Sequence, residues 1–142
     1  MQAGTDGEIG LGEHMGQVGR ILLVEDEVNI AEAMQFLLTR DGHDVHLVRD
    51  GDRALSAIVD LRPDLVILDL MLPGASGLSI LQSLRHHSDA EMSQTPVLML
   101  TAKGQGRDRD AAHAAGVSAF MTKPFANGAL RDEVRALLGG RH

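Results

Sequence analysis

Ile21-Leu22-Leu23-Val24-Glu25-Asp26-Glu27 decides the architecture: four apolar residues with no polar alternation, then three acids in a row. An apolar run that short and that uniform reads as a strand covered on both faces, as in a parallel sheet flanked by helices. Working outward, the pattern repeats. Strands are expected at Ile21 to Val24, Val45 to Val48, Leu65 to Leu68, Val97 to Leu100 and Val117 to Met121. Between them lie apolar residues three or four apart: Ile30, Met34, Leu37 and Leu38; Ala54, Leu55, Ile58 and Val59; Leu78, Leu81 and Leu84. Ala111, Ala114 and Ala115 follow, and Leu130, Val134, Leu137 and Leu138 come last. These spacings predict amphipathic helices. Asp41-Gly42, Arg62-Pro63-Asp64 and Gly116 punctuate the boundaries. The expected fold is α/β, a (βα)5 doubly wound sandwich with a five-stranded parallel sheet.

Composition narrows the function. The 142 residues suit one compact domain. No apolar run approaches the roughly 20 residues of a membrane helix, and the start does not read as a secretory signal. Cysteine is absent, which excludes disulfides and thiolate metal sites. A net charge of −7 and only three aromatic residues, Phe36, Phe120 and Phe125, argue against nucleic-acid binding. A cytoplasmic protein is expected. Met1 to Gly19, with six glycines and no apolar period, reads as a flexible leader, with Met15 a candidate natural start. Residues 20–140 form the expected domain, and if the chain is complete, the ending at Gly139-Gly140 leaves no room for an attached output domain.

In an open parallel sheet, ligands bind beyond the carboxyl ends of the strands. Those ends carry Glu25-Asp26-Glu27, Asp69, Thr101 and Lys123-Pro124. Alone, each is ordinary: an acid at a helix start, a turn acceptor, a helix-start hydroxyl, a solvated ammonium. Together they form a constellation. If Glu25, Asp26 and Asp69 converge about 5 Å apart, each like-charge pair costs about 3 kcal/mol at an effective dielectric near 20. Lys123 offsets one charge and leaves −2, the complement of a divalent ion. Oxygen donors alone favour Mg²⁺ or Mn²⁺ over zinc.

The residues Ile21 to Glu27, then Leu68-Asp69-Leu70-Met71-Leu72-Pro73 with Gly77, then Leu100-Thr101-Ala102 and Thr122-Lys123-Pro124-Phe125, resemble the receiver domain of two-component response regulators. The likeness spans nearly all of Arg20 to Leu138, with 43 residues from Asp26 to Asp69 and 22 from Thr101 to Lys123. It implies a flavodoxin-like strand order 2-1-3-4-5. Asp69 would be the phosphoacceptor, served by a histidine kinase or a histidine phosphotransfer protein. Asp26, Asp69 and the Met71 backbone carbonyl would bind Mg²⁺, with Glu25 acting through a water. Lys123 and Thr101 would contact phosphoryl oxygens, and the Lys123-Pro124 bond would be cis. Thr101 and Phe120 would form a switch that alters the surface of helix four, strand five and helix five for a downstream protein. Phe120 as plain core is an equal alternative.

Some positions depart from the family pattern. Ala75-Ser76-Gly77 lacks the usual acid before the glycine, and Ser118-Ala119-Phe120 lacks an acidic pair used in dimer contacts. Met71 and Lys103 hold positions that influence phosphoryl lifetime; bulky Met71, unable to orient water, implies slow self-dephosphorylation. The pairs His86-His87 and His43 with His46 read as solvated surface, and Arg107 to Asp110 as an exposed first turn of helix four. A stand-alone regulator working by protein contact, without nucleic-acid or membrane binding, is favoured. A receiver excised from a DNA-binding regulator or hybrid kinase is second. The enzyme rival is an aspartate-nucleophile phosphohydrolase, which needs an acid where Met71 stands; a flavin carrier would need hydroxyls where Glu25-Asp26-Glu27 stands. A degenerate receiver used only for interaction is the last alternative.

Overall fold

The computed structural model describes residues 18–102 and 106–139. Most of the expected leader, Lys103 and Gly140 lie outside the described residues. Five strands, β1 (Arg20–Val24), β2 (Asp44–Val48), β3 (Leu65–Asp69), β4 (Val97–Thr101) and β5 (Ala119–Thr122), form one parallel sheet in the order β2-β1-β3-β4-β5. Four helices connect them, α1 (Val28–Arg40), α2 (Ala54–Leu61), α3 (Gly77–Arg85) and α4 (Gly106–Ala114), and a fifth, α5 (Asn127–Gly139), follows β5. A 3₁₀ turn at Gly51–Arg53 and a single helical turn at Ala90–Ser93 complete the described elements.

The three central strands alternate their side chains between two cores, which explains their unbroken hydrophobicity. Leu22, Val24, Val66, Leu68, Val97 and Met99 meet Ala54, Ile58, Ile80, Leu81, Leu84 and Ala112 from α2, α3 and α4. Ile21, Leu23, Leu65, Ile67, Leu98 and Leu100 meet Met34 and Leu38 of α1 and Leu130 and Val134 of α5. Neither face has a solvated side, so no polar alternation survives in the sequence.

Three expectations need correction. Strand five begins at Ala119, not Val117. Gly116, at φ +97, turns the chain out of α4, and the Val117 amide donates to the Ala112 carbonyl, so Val117 and Ser118 belong to the helix-ending turn. The alanine face of α4 is also rotated: Ala112 is its buried residue, while Ala111, Ala114 and Ala115 line a groove facing Gln82, Ser83 and His86 of α3. Finally, His43 is buried rather than solvated, its Nδ1 accepting the Gly19 amide at 3.3 Å. Burial holds its pKa below the usual histidine value. His86 and His87 do sit at the C-terminal end of α3, where Nδ1 of His86 lies 2.8 Å from the Gln82 carbonyl.

Arg85, at the end of α3, ties the lower part of this layer together. Its guanidinium donates to the carbonyls of Gly116, Ser93 and Thr95 at 2.9, 3.0 and 2.7 Å. The C-terminal end of α4 is thereby anchored to α3 and to the entry of β4.

Candidate functional site

The carboxyl ends of β1, β3, β4 and β5 deliver the chemistry-bearing residues to one edge of the sheet. Backbone bonds carry the ladder past the strand ends: the Leu70 amide donates to Leu100 and the Lys123 amide to Thr101, both at 2.7 Å. Asp69, the last residue of β3, and Thr101, the last of β4, are consequently held rigidly and are both buried. The Lys123-Pro124 peptide is cis.

Lys123 is the hub. Its side chain is 8% exposed, and Nζ lies 2.7 Å from Glu25 Oε1, 3.1 Å from Asp69 Oδ2 and 3.3 Å from Glu27 Oε1. Burial alone would push its pKa down; the hydrogen bond to Glu25 and the Asp69 charge outweigh this and hold it above the usual lysine value. Glu25 has no exposed surface. Burial pushes its pKa up, opposed by the Lys123 hydrogen bond and reinforced by the Asp69 charge. Both its oxygens are engaged, Oε1 by Lys123 and Oε2 by the Glu27 amide at 3.1 Å. The Asp69 carboxylate is oriented from the other side, Oδ1 accepting the Met71 amide at 3.2 Å.

Ligand oxygens of Glu25, Glu27 and Asp69 all lie within 4.8 Å of one another. Above them opens a pocket of about 550 Å³ lined by Asp26, Glu27, Asp69, Met71, Thr101, Ala102, Asp108 and Lys123. The expected residues Asp26, Asp69, Met71, Thr101 and Lys123 thus share one cavity. Glu25 sits beneath it, holding Lys123 and the Glu27 amide. Phe120 stands apart on β5, half-buried against the core, with the Arg109 guanidinium 5.1 Å from its ring centroid.

Two pocket acids were not assigned a site role from sequence. Glu27, following two stronger candidates, reaches Lys123 although its side chain is 58% exposed. Asp108 belongs to a run of alternating charge read as wholly exposed, yet it is half-buried and faces the pocket from the first turn of α4. Sign alternation in a sequence reports solvent on average and cannot show which turn meets a cavity.

A five-stranded parallel sheet in the order β2-β1-β3-β4-β5, covered by helices on both faces and carrying an acid-lined pocket at its carboxyl edge, defines a flavodoxin-like α/β class. The family described as the response regulator receiver domain matches residues 21–135, and the chain belongs to that family. The DNA-binding response regulator MtrA of Mycobacterium tuberculosis is 40% identical over 119 residues, 84% of this chain and 50% of MtrA. The transcriptional regulatory protein DltR of Streptococcus agalactiae is 45% identical over 106 residues, 75% of this chain and 46% of DltR. The chain spans about half the length of these relatives. Among solved structures, the receiver domain of sensor histidine kinase PA1611 from Pseudomonas aeruginosa, with magnesium coordinated in its active-site cleft, superposes with a TM-score of 0.78 and 29% identity, covering 86% of this chain and 98% of that one. The BeF3-activated N-terminal receiver domain of Klebsiella pneumoniae RstA gives a TM-score of 0.77 and 28% identity, covering 84% and 97%. No helix among the described residues is long and apolar enough to cross a membrane.

Proposed function

We propose that this chain accepts a phosphoryl group on Asp69 from a histidine kinase or a histidine phosphotransfer protein and changes a protein-contact surface in response. The observation that carries the reading is the contact of Lys123 Nζ with Asp69 Oδ2 at 3.1 Å, made across 54 residues of chain in a pocket open to a donor. A carboxylate oxygen of Asp69 attacks phosphorus, a P–O bond forms, and the P–N bond of the phosphohistidine breaks with the imidazole leaving. Lys123 neutralises one phosphoryl oxygen, and Thr101 donates to another.

The acids fit a hard divalent cation: the carboxylates of Glu25, Glu27 and Asp69 converge and outnumber the ammonium, and Asp26, outside that converging group, lines the same pocket with a further carboxylate. Asp26, Asp69 and the Met71 carbonyl would hold Mg²⁺, with Glu25 acting through a water and Mn²⁺ an acceptable substitute. When bound, the ion supplies charge neutralisation for in-line phosphoryl transfer. Output runs through Thr101 and Phe120 to α4, β5 and α5. The chain acts in the cytoplasm, without membrane attachment or direct nucleic-acid contact. A second reading rests on the relatives' names: the same module serving a regulator whose remaining half binds DNA.

Intact mass after incubation with a small acyl phosphate tests the chemistry. One phosphoryl group is expected on wild type with Mg²⁺, and none without Mg²⁺ or in Asp69→Asn. Steady turnover of an external phosphate ester in the same samples would instead select the phosphohydrolase reading, for which Asp108 is the nearby acid.

A further inference from the structure

Helix α4 buries the fewest residues of the five helices. Its sequence, Gly106 to Ala114, contributes one buried residue, Ala112, whereas α3 buries Gly77, Ile80, Leu81 and Leu84. Asp108 and Arg109 lie four and three residues before Ala112, so they flank that buried residue on the helix surface, Asp108 half-buried and Arg109 exposed. Asp108 lines the phosphorylation pocket, and Arg109 lies over the ring of Phe120. Phe120 pairs with Met99 on β4, two residues before Thr101, and side chains two apart on a strand share a face. One helical turn therefore touches both the reaction pocket and the aromatic residue beside Thr101.

We infer that Arg109 is a positioning residue: its guanidinium holds Phe120 under α4 in the unmodified protein, and release of that contact accompanies phosphorylation. The inference rests on the phosphoacceptor reading above. A phosphoryl group on Asp69 adds negative charge to a pocket that Asp108 already faces, which disfavours the docked position of the turn carrying Arg109. The far end of α4 stays tied through Arg85 and the Gly116 carbonyl, so the helix has a fixed end and a releasable one. A cation over an aromatic ring is worth enough to bias a two-state residue by about two- to fivefold at a partly exposed site. Coupling is reciprocal at equilibrium: whatever favours the docked ring also disfavours the phosphorylated state, and where the released ring precedes transfer the labelling rate falls with its population.

The three phenylalanines make the test direct. With 4-fluorophenylalanine incorporated, Phe36, Phe120 and Phe125 give three fluorine resonances, and Phe120→Leu assigns one. Arg109→Ala should move the Phe120 resonance of the unphosphorylated protein part-way toward its position in phosphorylated wild type, while Arg109→Lys should move it less. The effect of Arg109→Ala on the acyl phosphate labelling rate, measured in wild type and in Phe120→Leu, should differ by about two- to fivefold in favour of wild type. Arg40, 5.6 Å from the Phe36 ring centroid, supplies the control: Arg40→Ala should move only the Phe36 resonance. A Phe120 resonance unaltered by Arg109→Ala, or a rate effect equal in both backgrounds, overturns the inference while mass gain on Asp69 still stands. Absence of any mass gain overturns the phosphoacceptor reading and the inference with it.

Discussion

Replacing Lys123 by methionine keeps the bulk of the side chain and removes the only ammonium among the described residues that contacts Glu25 and Asp69. Glu25, with no exposed surface, is then left without a counter-charge. The damage has a ceiling, because the protein can escape an unpaired buried carboxylate by protonating it. From an ordinary value of 4.5, protonation at pH 7 costs about 3.4 kcal/mol, at 1.36 kcal/mol per unit. At pH 5 the same step costs about 0.7 kcal/mol. Glu25 already has a raised pKa in the folded state, so its protonated form favours the native protein increasingly as pH falls toward 4.5. Urea unfolding of wild type and Lys123→Met should therefore show a stability loss of about 2–3 kcal/mol at pH 7 that shrinks below about 1 kcal/mol at pH 5. At pH 7, saturating Mg²⁺ should recover part of the loss, since a ligand bound only by the native state stabilises it. A loss of equal size at both pH values would mean that Lys123 matters through packing and would refute the electrostatic account of the hub.

Two further substitutions probe the loop that presents Asp69. Gly77 opens α3 in close contact with the preceding loop: a Cβ there would collide with the Asp69 carbonyl oxygen and lie 2.8 Å from Leu70 Cα. Gly77→Ala should cost about 1–3 kcal/mol in thermal or urea unfolding and slow acyl phosphate labelling together with it, because the collision displaces the backbone that carries the acceptor. Met71 lies at the pocket with 72% of its surface exposed, an apolar cover that cannot orient an attacking water. Met71→Asn should shorten the phosphoryl half-life by severalfold in a mass-based decay assay without altering the labelling stoichiometry; an unchanged half-life would show that Met71 does not limit the access of water.

The arrangement of strands was legible because three of them are sealed between helices, and that burial leaves an uninterrupted apolar signature in Ile21 to Val24, Leu65 to Leu68 and Val97 to Leu100. Strand five was legible only in part: it lies at the sheet edge, half-buried, and the turn set by Gly116 takes its first apolar residue. Residue spacing alone does not order the strands, and the order was expected from family resemblance. The site residues could be gathered from sequence because parallel topology carries every strand end to the same edge. Which atoms then meet depends on side-chain direction, and local pattern is silent about that. Glu27 reaches Lys123 across 96 residues, Asp108 turns toward a cavity from a run of alternating charge, and His43 is enclosed by the incoming Gly19. In each case the deciding contact is between segments far apart in the chain. The same distinction explains the division of labour around the pocket. Glu25 and Lys123 are held by burial, so their geometry follows from the fold. Asp108 and Arg109 ride on a helix that buries only Ala112, so in the proposed switch their positions respond to charge at Asp69 without disturbing the core that holds Glu25 and Lys123.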